Sequence, residues 1–143
     1  MPLGRLGNLE VRLAAHETEV EAAQELRHRI FRQDADHASV HRLRDADHYD
    51  RWCDHLIVID TCNGAIVGTY RLLREEMAAK AGGFYSQAEF DLSALLARQP
   101  GRRVLELGRS CVLPQYRTKR TVELLWQGIW AYCHQWNIDM MCG

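Results

Sequence analysis

The sequence predicts an α/β domain built on a mixed sheet, and three observations carry that expectation. Two apolar runs, His55–Asp60 and Ala65–Leu73, flank an Asn63-Gly64 pair, the strongest short-range signal for an antiparallel hairpin. Glu17–Phe31 and Thr121–Trp136 place apolar residues at helical spacing. Val104–Val112, the second of those helices and a strand beginning at Ile138 follow one another as strand, helix, strand. An antiparallel start followed by a β–α–β unit gives a mixed sheet.

The elements follow in chain order. Leu9–Leu13 alternates apolar and polar residues and reads as the first strand. In Glu17–Phe31 the positions Val20, Ala23, Leu26 and Ile30 share a face, with Thr18 as the expected cap. Arg32–Arg51 is polar and reads as a loop carrying Asp45, Asp47 and Asp50. After the hairpin, Glu75–Ala81 predicts a short helix broken by Gly82-Gly83. Phe84–Arg98 is mixed, with Asp91 or Ser93 able to cap a short helix through Ala97, and Pro100-Gly101 marks a turn. Val104–Val112 predicts a strand with Leu105, Leu107, Arg109 and Cys111 on one face. Val104, Glu106, Gly108, Ser110 and Val112 take the other face, and Pro114 ends the strand. Val122, Leu125, Trp126, Ile129, Trp130 and Cys133 form the expected buried stripe of the last helix.

Composition narrows the function classes. At 143 residues the chain suits one domain, and 47% apolar against 26% charged residues is enough for a core without staples. A net charge of −1 argues against a nucleic-acid binder that relies on bulk positive charge. No apolar run reaches the roughly eighteen residues of a membrane span. The five cysteines are odd in number and unpaired in spacing, which predicts reduced thiols in the cytoplasm. Cys111 and Cys133 read as buried small hydrophobes. Cys/His pairs at zinc spacing are missing, so no metal is expected.

Two features carry chemistry. Arg102, Arg103, Arg109, Arg117, Lys119 and Arg120 cluster with only Glu106 opposing them. Leu113–Glu123 joins a strand to a helix start, where free N–H groups and the helix dipole favour anions. The reading is a phosphate or pyrophosphate seat, against an exposed basic turn. A glycine-rich P-loop is missing, which disfavours an ATPase. The second feature is Glu106, a carboxylate among Val104, Leu105 and Leu107. Burying it is costly unless it is paired or used. It reads as a general base for an amine, or as a structural salt bridge to Arg109 or Arg71.

Several motifs together resemble a known superfamily. Arg27 with Phe31, Asp47-His-Tyr-Asp50, His55–Asp60, Gly68-Thr-Tyr-Arg71 and Glu106-Leu-Gly-Arg109 are similar to the acyl-homoserine-lactone synthases. Their relatives, the ornithine N-acyltransferases of ornithine-lipid synthesis, are resembled more closely, through GTYRLLR, GGFYSQAEFDLSALL and LELGRSCVLPQYRTKRTVELLWQGIWAY. The likeness runs from about Leu9 to the last residue.

That resemblance implies a GNAT-like fold: a mixed, mostly antiparallel sheet flanked by helices, as a single domain over 1–143 truncated at its C-terminal strands. It implies transfer of a 3-hydroxyacyl chain from acyl carrier protein to the α-amino group of L-ornithine, giving lyso-ornithine lipid. No cofactor is implied beyond the phosphopantetheine thioester of the donor. Glu106 matches the general base and Arg109 the arginine beside it. Arg117, Thr118, Lys119, Arg120 and Thr121 match the phosphopantetheine loop, with backbone N–H groups near Cys111, Val112 and Leu113 expected to hold the oxyanion. Arg27, Phe31, Asp47, Asp50 and Arg71 match positions that shape the acceptor site. The basic loop lacks the glycines of the common acetyl-CoA-binding pattern, which fits a carrier-protein donor. No tryptophan follows Phe31 where the lactone synthases carry one, which argues against S-adenosylmethionine as acceptor. The alternatives are an autoinducer synthase and a non-catalytic remnant that binds acyl carrier protein. A homodimer and peripheral association with the inner membrane are compatible with either enzyme.

Overall fold

The computed structural model describes residues 2–34, 46–85 and 103–143. Asp45, Asp91, Ser93, Ala97, Pro100, Gly101 and Arg102 lie outside the described residues, and so do most of the mixed segment and its expected short helix.

Among the described residues, six strands form one sheet in the order β1-β2-β3-β4-β5-β6: Gly4–Leu6, Leu9–Leu13, Asp54–Asp60, Ala65–Arg74, Val104–Val112 and Met140–Cys142. All neighbours are antiparallel except β5 and β6, which pair in parallel across the last helix. Helices α1 (Glu17–Asp34) and α2 (Glu75–Ala81) cover one face of β4 and β5, and α3 (Lys119–Gln135) crosses the other face over β1, β2 and β3. The mixed, mostly antiparallel sheet flanked by helices is the fold class expected.

The hairpin forms where Asn63-Gly64 predicts it. Asp60 pairs with Ala65, Gly64 sits at φ +72°, and the Asn63 side chain accepts from the Ala65 N–H at 2.9 Å. Helix α2 ends at Gly82 in the left-handed conformation, as the Gly-Gly pair implies.

Four expectations change. Strand β1, only three residues long, precedes the strand expected first. Thr18 lies inside the first turn of α1, and the start is held by Glu19, whose carboxylate accepts from the Ala15 N–H at 2.8 Å and from Arg12 Nη1 at 3.0 Å. Strand β5 is bulged. Thr69 faces Cys111 but Arg71 faces Gly108, so β5 spends one extra residue there, and Arg109 takes φ +51°. The bulge flips the expected faces: Leu105 and Leu107 join the core beneath α3, whereas Cys111 packs with Leu26 and Ile30 of α1.

The fourth change concerns α3. Its buried side is Thr121, Leu124, Leu125, Gly128, Ile129 and Tyr132. Val122, Trp126 and Trp130 of the expected stripe are 49%, 49% and 74% exposed. Gly128 explains the choice of face. A Cβ there would meet Val11 at 2.8 Å and Leu56 at 3.2 Å, so the helix approaches the sheet along its small residue.

Candidate functional site

The residues expected to shape the acceptor site converge on the α1/α2 face. Arg27 is fully buried on α1, and its Nη2 donates to both oxygens of Asp50 at 3.0 and 2.8 Å. Asp50 opens a short 3-10 turn, Asp50–Trp52, that returns the chain into β3. It also accepts from Gln24 Nε2 at 3.2 Å and from the Asp47 N–H at 3.1 Å. Arg71 on β4 donates to Asp47 at 2.8 Å and to Asp50 at 3.3 Å. Two arginines and two aspartates therefore balance in charge, which is what a buried ionic group needs.

Burial alone would raise the Asp50 carboxyl. The Arg27 hydrogen bonds and charge, with the Asp47 N–H and Arg71, hold it below the usual carboxylate range. Burial pushes the His55 imidazole down, against its contact with the Asp50 carbonyl oxygen, to which Nε2 donates at 3.0 Å. Burial likewise pushes the Cys53 thiol up to about 12, which disfavours a reactive thiolate there.

Glu106 sits on the same face. It is 4% exposed, and its Oε1 accepts from the Tyr85 N–H at 2.8 Å. The alternative salt bridge to Arg71 does not form, because Arg71 turns to Asp47 and Asp50. The Arg71 guanidinium lies 3.8 Å from where a Cβ of Gly108 would stand and 5.3 Å from the Tyr85 ring. Arg71, Tyr85 and Glu106 thus form one continuous wall. The bulge also turns Arg109 onto this side, where its guanidinium lies 4.6 Å above the Phe31 ring.

Strand β5 pairs with β6 only over Val104–Glu106. Beyond Glu106 its β6-facing edge has no strand beside it among the described residues.

The basic loop follows β5. Pro114–Tyr116 forms a 3-10 turn, and Thr118 caps α3 by accepting from the Thr121 N–H at 3.3 Å. The N–H groups of Tyr116, Arg117 and Thr118 are already bonded within the turn. The first turn of α3, at Lys119 and Arg120, is what remains for an anion. Arg117 Nε donates to the Val112 carbonyl at 3.0 Å, and Arg120 reaches across Gly7 in the β1–β2 turn. A cleft of about 450 Å³ opens here, lined by Asn8, Asp60, Tyr116, Thr118, Arg120 and Thr121. The Leu113 N–H donates to the Val67 carbonyl at 2.9 Å, which removes it from the expected oxyanion donors.

Sequence reasoning missed Gln24, Tyr49 and Tyr85. Gln24 is a polar residue three positions before Arg27, on the face shared with Ala23, and that placement was a usable signal. Tyr49 and Tyr85 flank Arg71 with ring centroids 5.5 Å apart, an arrangement that only the fold creates.

Comparison with known proteins follows the same lines. The family model described as an acetyltransferase (GNAT) domain matches residues 26–127. The L-ornithine N(alpha)-acyltransferase of Rhizobium meliloti (strain 1021) is 54% identical, over 99% of this chain and 51% of the relative. The protein of the same name from Brucella abortus (strain 2308) is 54% identical, over 99% of this chain and 53% of its own length. The chain spans about half the length of the relatives it matches. Among solved structures, the acyl-homoserine-lactone synthase LasI superposes with a TM-score of 0.66 at 16% identity, covering 93% of this chain and 70% of that one. FeeM, an N-acyl amino acid synthase from uncultured soil microbes, superposes at 0.65 with 14% identity, over 93% of this chain and 70% of FeeM. These two likenesses concern the fold.

Proposed function

The chain belongs to the acetyltransferase (GNAT) domain family, and from that premise we propose that it is an N-acyltransferase moving a 3-hydroxyacyl chain from acyl carrier protein to the α-amino group of L-ornithine. The observation that carries this reading is Glu106, a buried carboxylate on β5, the strand that leads into the basic loop. The names of the half-matching relatives supply the acceptor.

In this reading the phosphopantetheine arm runs along the backbone of β5. Its phosphate meets the first turn of α3, with Lys119 and Arg120 supplying charge. The thioester carbonyl stands near Glu106. The carboxylate takes a proton from the acceptor ammonium, directly or through one water. The freed amine attacks the carbonyl carbon, a C–N bond forms, the C–S bond breaks, and the thiolate leaves on the carrier arm, taking up the second proton that the new amide nitrogen sheds. The oxyanion would be held by backbone N–H groups near Cys111 and Val112, since the Leu113 N–H is engaged with Val67. No acyl-enzyme forms. Arg27, Asp50, Asp47 and Arg71 hold the acceptor wall in place, with Phe31 under Arg109. The acidic surface of a carrier protein suits the exposed cations of the loop.

Purified protein incubated with 3-hydroxyacyl carrier protein and a panel of amines, read by product mass, tests this. The expected product is N-acylornithine. A lactone formed from S-adenosylmethionine would move the reading to an autoinducer synthase, and carrier-protein binding without turnover to a donor-binding remnant. Glu106→Gln should lower turnover by about 10²-fold or more while leaving the melting temperature in place. Near-normal activity would remove Glu106 from the mechanism.

A further inference from the structure

A glutamate side chain turns about several bonds, so a carboxylate that must meet one particular proton needs something to hold it. On Glu106 Oε1 a main-chain group helps to do this: the N–H of Tyr85 donates to it at 2.8 Å. The two residues lie 21 positions apart, so the contact is made by the fold and not by local sequence. A main-chain donor has no side chain of its own to aim it. Its position depends on how its residue is seated.

Two adjacent side chains seat it. Phe84 is 3% exposed and packs with Leu73, Ala78 and Val104, which pins the chain to the core. Tyr85 is 40% exposed, so its ring adds little to that core. The ring instead lies 5.3 Å from the Arg71 guanidinium and meets the Tyr49 ring edge-on, with centroids 5.5 Å apart and an interplanar angle of 75°. Both supports are themselves fixed. Arg71 is bound to Asp47 and Asp50, and the Tyr49 N–H donates to Asp47 Oδ1 at 2.9 Å. Tyr85 therefore rests its ring on the charged network and its N–H on the carboxylate.

We propose that Tyr85 is a positioning residue for Glu106: its ring, seated against Arg71 and Tyr49, sets the N–H that aims the carboxylate at the acceptor amine. One peptide group thereby links the Asp47–Arg71 pair to the base. Tyr85 needs no contact with substrate for this. The inference rests on the general-base reading of Glu106 and adds to it the device that holds the base still.

The test joins steady-state kinetics of the full 143-residue chain, with 3-hydroxyacyl carrier protein and L-ornithine, to hydrogen exchange of the amide at position 85. Tyr85→Ala removes the ring and keeps the N–H. It should lower kcat about tenfold or more, with KM for ornithine within about twofold. Tyr85→Phe keeps the ring and should restore most of that loss. In a Glu106→Gln background Tyr85→Ala should cost almost nothing further, because it acts through that carboxylate. The amide should exchange about tenfold faster in Tyr85→Ala, and Tyr85→Phe should restore its protection. A loss confined to KM, or a full additional loss in the Glu106→Gln background, overturns the inference. Normal kcat in Tyr85→Ala beside a defective Glu106→Gln overturns it alone and leaves the base in place. Normal activity in Glu106→Gln removes the base and this inference with it. If the chain binds its donor without turnover, exchange decides: an unchanged rate in Tyr85→Ala overturns the inference, and a faster one restored by Tyr85→Phe supports it.

Discussion

The two faces of the sheet bury polar groups by different means. On the α1/α2 face, Arg27, Asp50 and Arg71 are almost completely buried and are bound to one another across three separate stretches of sequence. On the α3 face the core is aliphatic, with Leu9, Val11, Leu56, Val58, Val67, Leu72, Leu105 and Leu124 packed together. A polar group buried there is the Tyr132 hydroxyl, which donates to Asp54 at 2.5 Å and accepts from Arg74 at 2.9 Å at the core's edge. A core can be stabilised by apolar area alone, at about 25 cal/mol per Å². The charged network supplies little of that and costs desolvation, so it reads as what fixes a site rather than what drives folding. Glu106 projects toward the network, and Leu105 and Leu107 on either side of it project into the core. One strand therefore serves both faces.

That contrast can be broken from either side. The largest effect is expected from Arg27→Met, which strips Asp50 of its bidentate partner and leaves a buried carboxylate. Urea denaturation should show a loss of about 3–5 kcal/mol; a loss under 1 kcal/mol would mean that water reaches Asp50 and the face is not sealed. Next is Gly128→Ala on the opposite face. The added methyl collides with Val11 and Leu56, and overpacking of this kind costs about 1–3 kcal/mol. Because the proposed anion seat lies in the first turn of α3, catalysis should fall less than stability. Equal losses would tie the helix position to the site.

The smallest effect is a gradual acid sensitivity of the α1/α2 face. Burial depresses His55, so below about pH 6.5 the unfolded chain takes up a proton that the folded chain resists. Asp50 is also held low, so its contribution is present above the ordinary carboxylate range and is lost as pH falls through its folded value. Both groups make stability fall as pH falls. Chemical denaturation at pH 7, 6, 5 and 4 should show a steady decline, with the first step removed in His55→Asn. A gain in stability between pH 7 and pH 5 would contradict both assignments.

Much of the fold was legible in the sequence because it rests on local signals. Asn63-Gly64 specifies its hairpin through glycine's tolerance of positive φ, and Gly82 ends α2 for the same reason. Strand β1 was not legible, since three residues carry too little periodicity. Of the site, Glu106 and Arg71 stood out as charges in apolar surroundings, and Arg27 was named only through the family resemblance. Their partners did not, because the pairs Arg27–Asp50 and Arg71–Asp47 span 23 and 24 positions and no local pattern links such distant residues.

By itself the sequence determined the order and type of the elements, the hairpin, the unusual carboxylate on the long strand and the basic helix start. The tertiary structure decided which way side chains point. Residue Arg109 adopts φ +51° in a bulge that spends one extra residue, and this sends Cys111 to α1 and Arg109 over Phe31. A strict two-residue alternation cannot reveal an inserted residue. Helix α3 is apolar around much of its circumference, so periodicity left two faces to choose between. The close approach permitted by Gly128 made the choice, buried Leu124 and Tyr132, and left Trp126 and Trp130 on the surface.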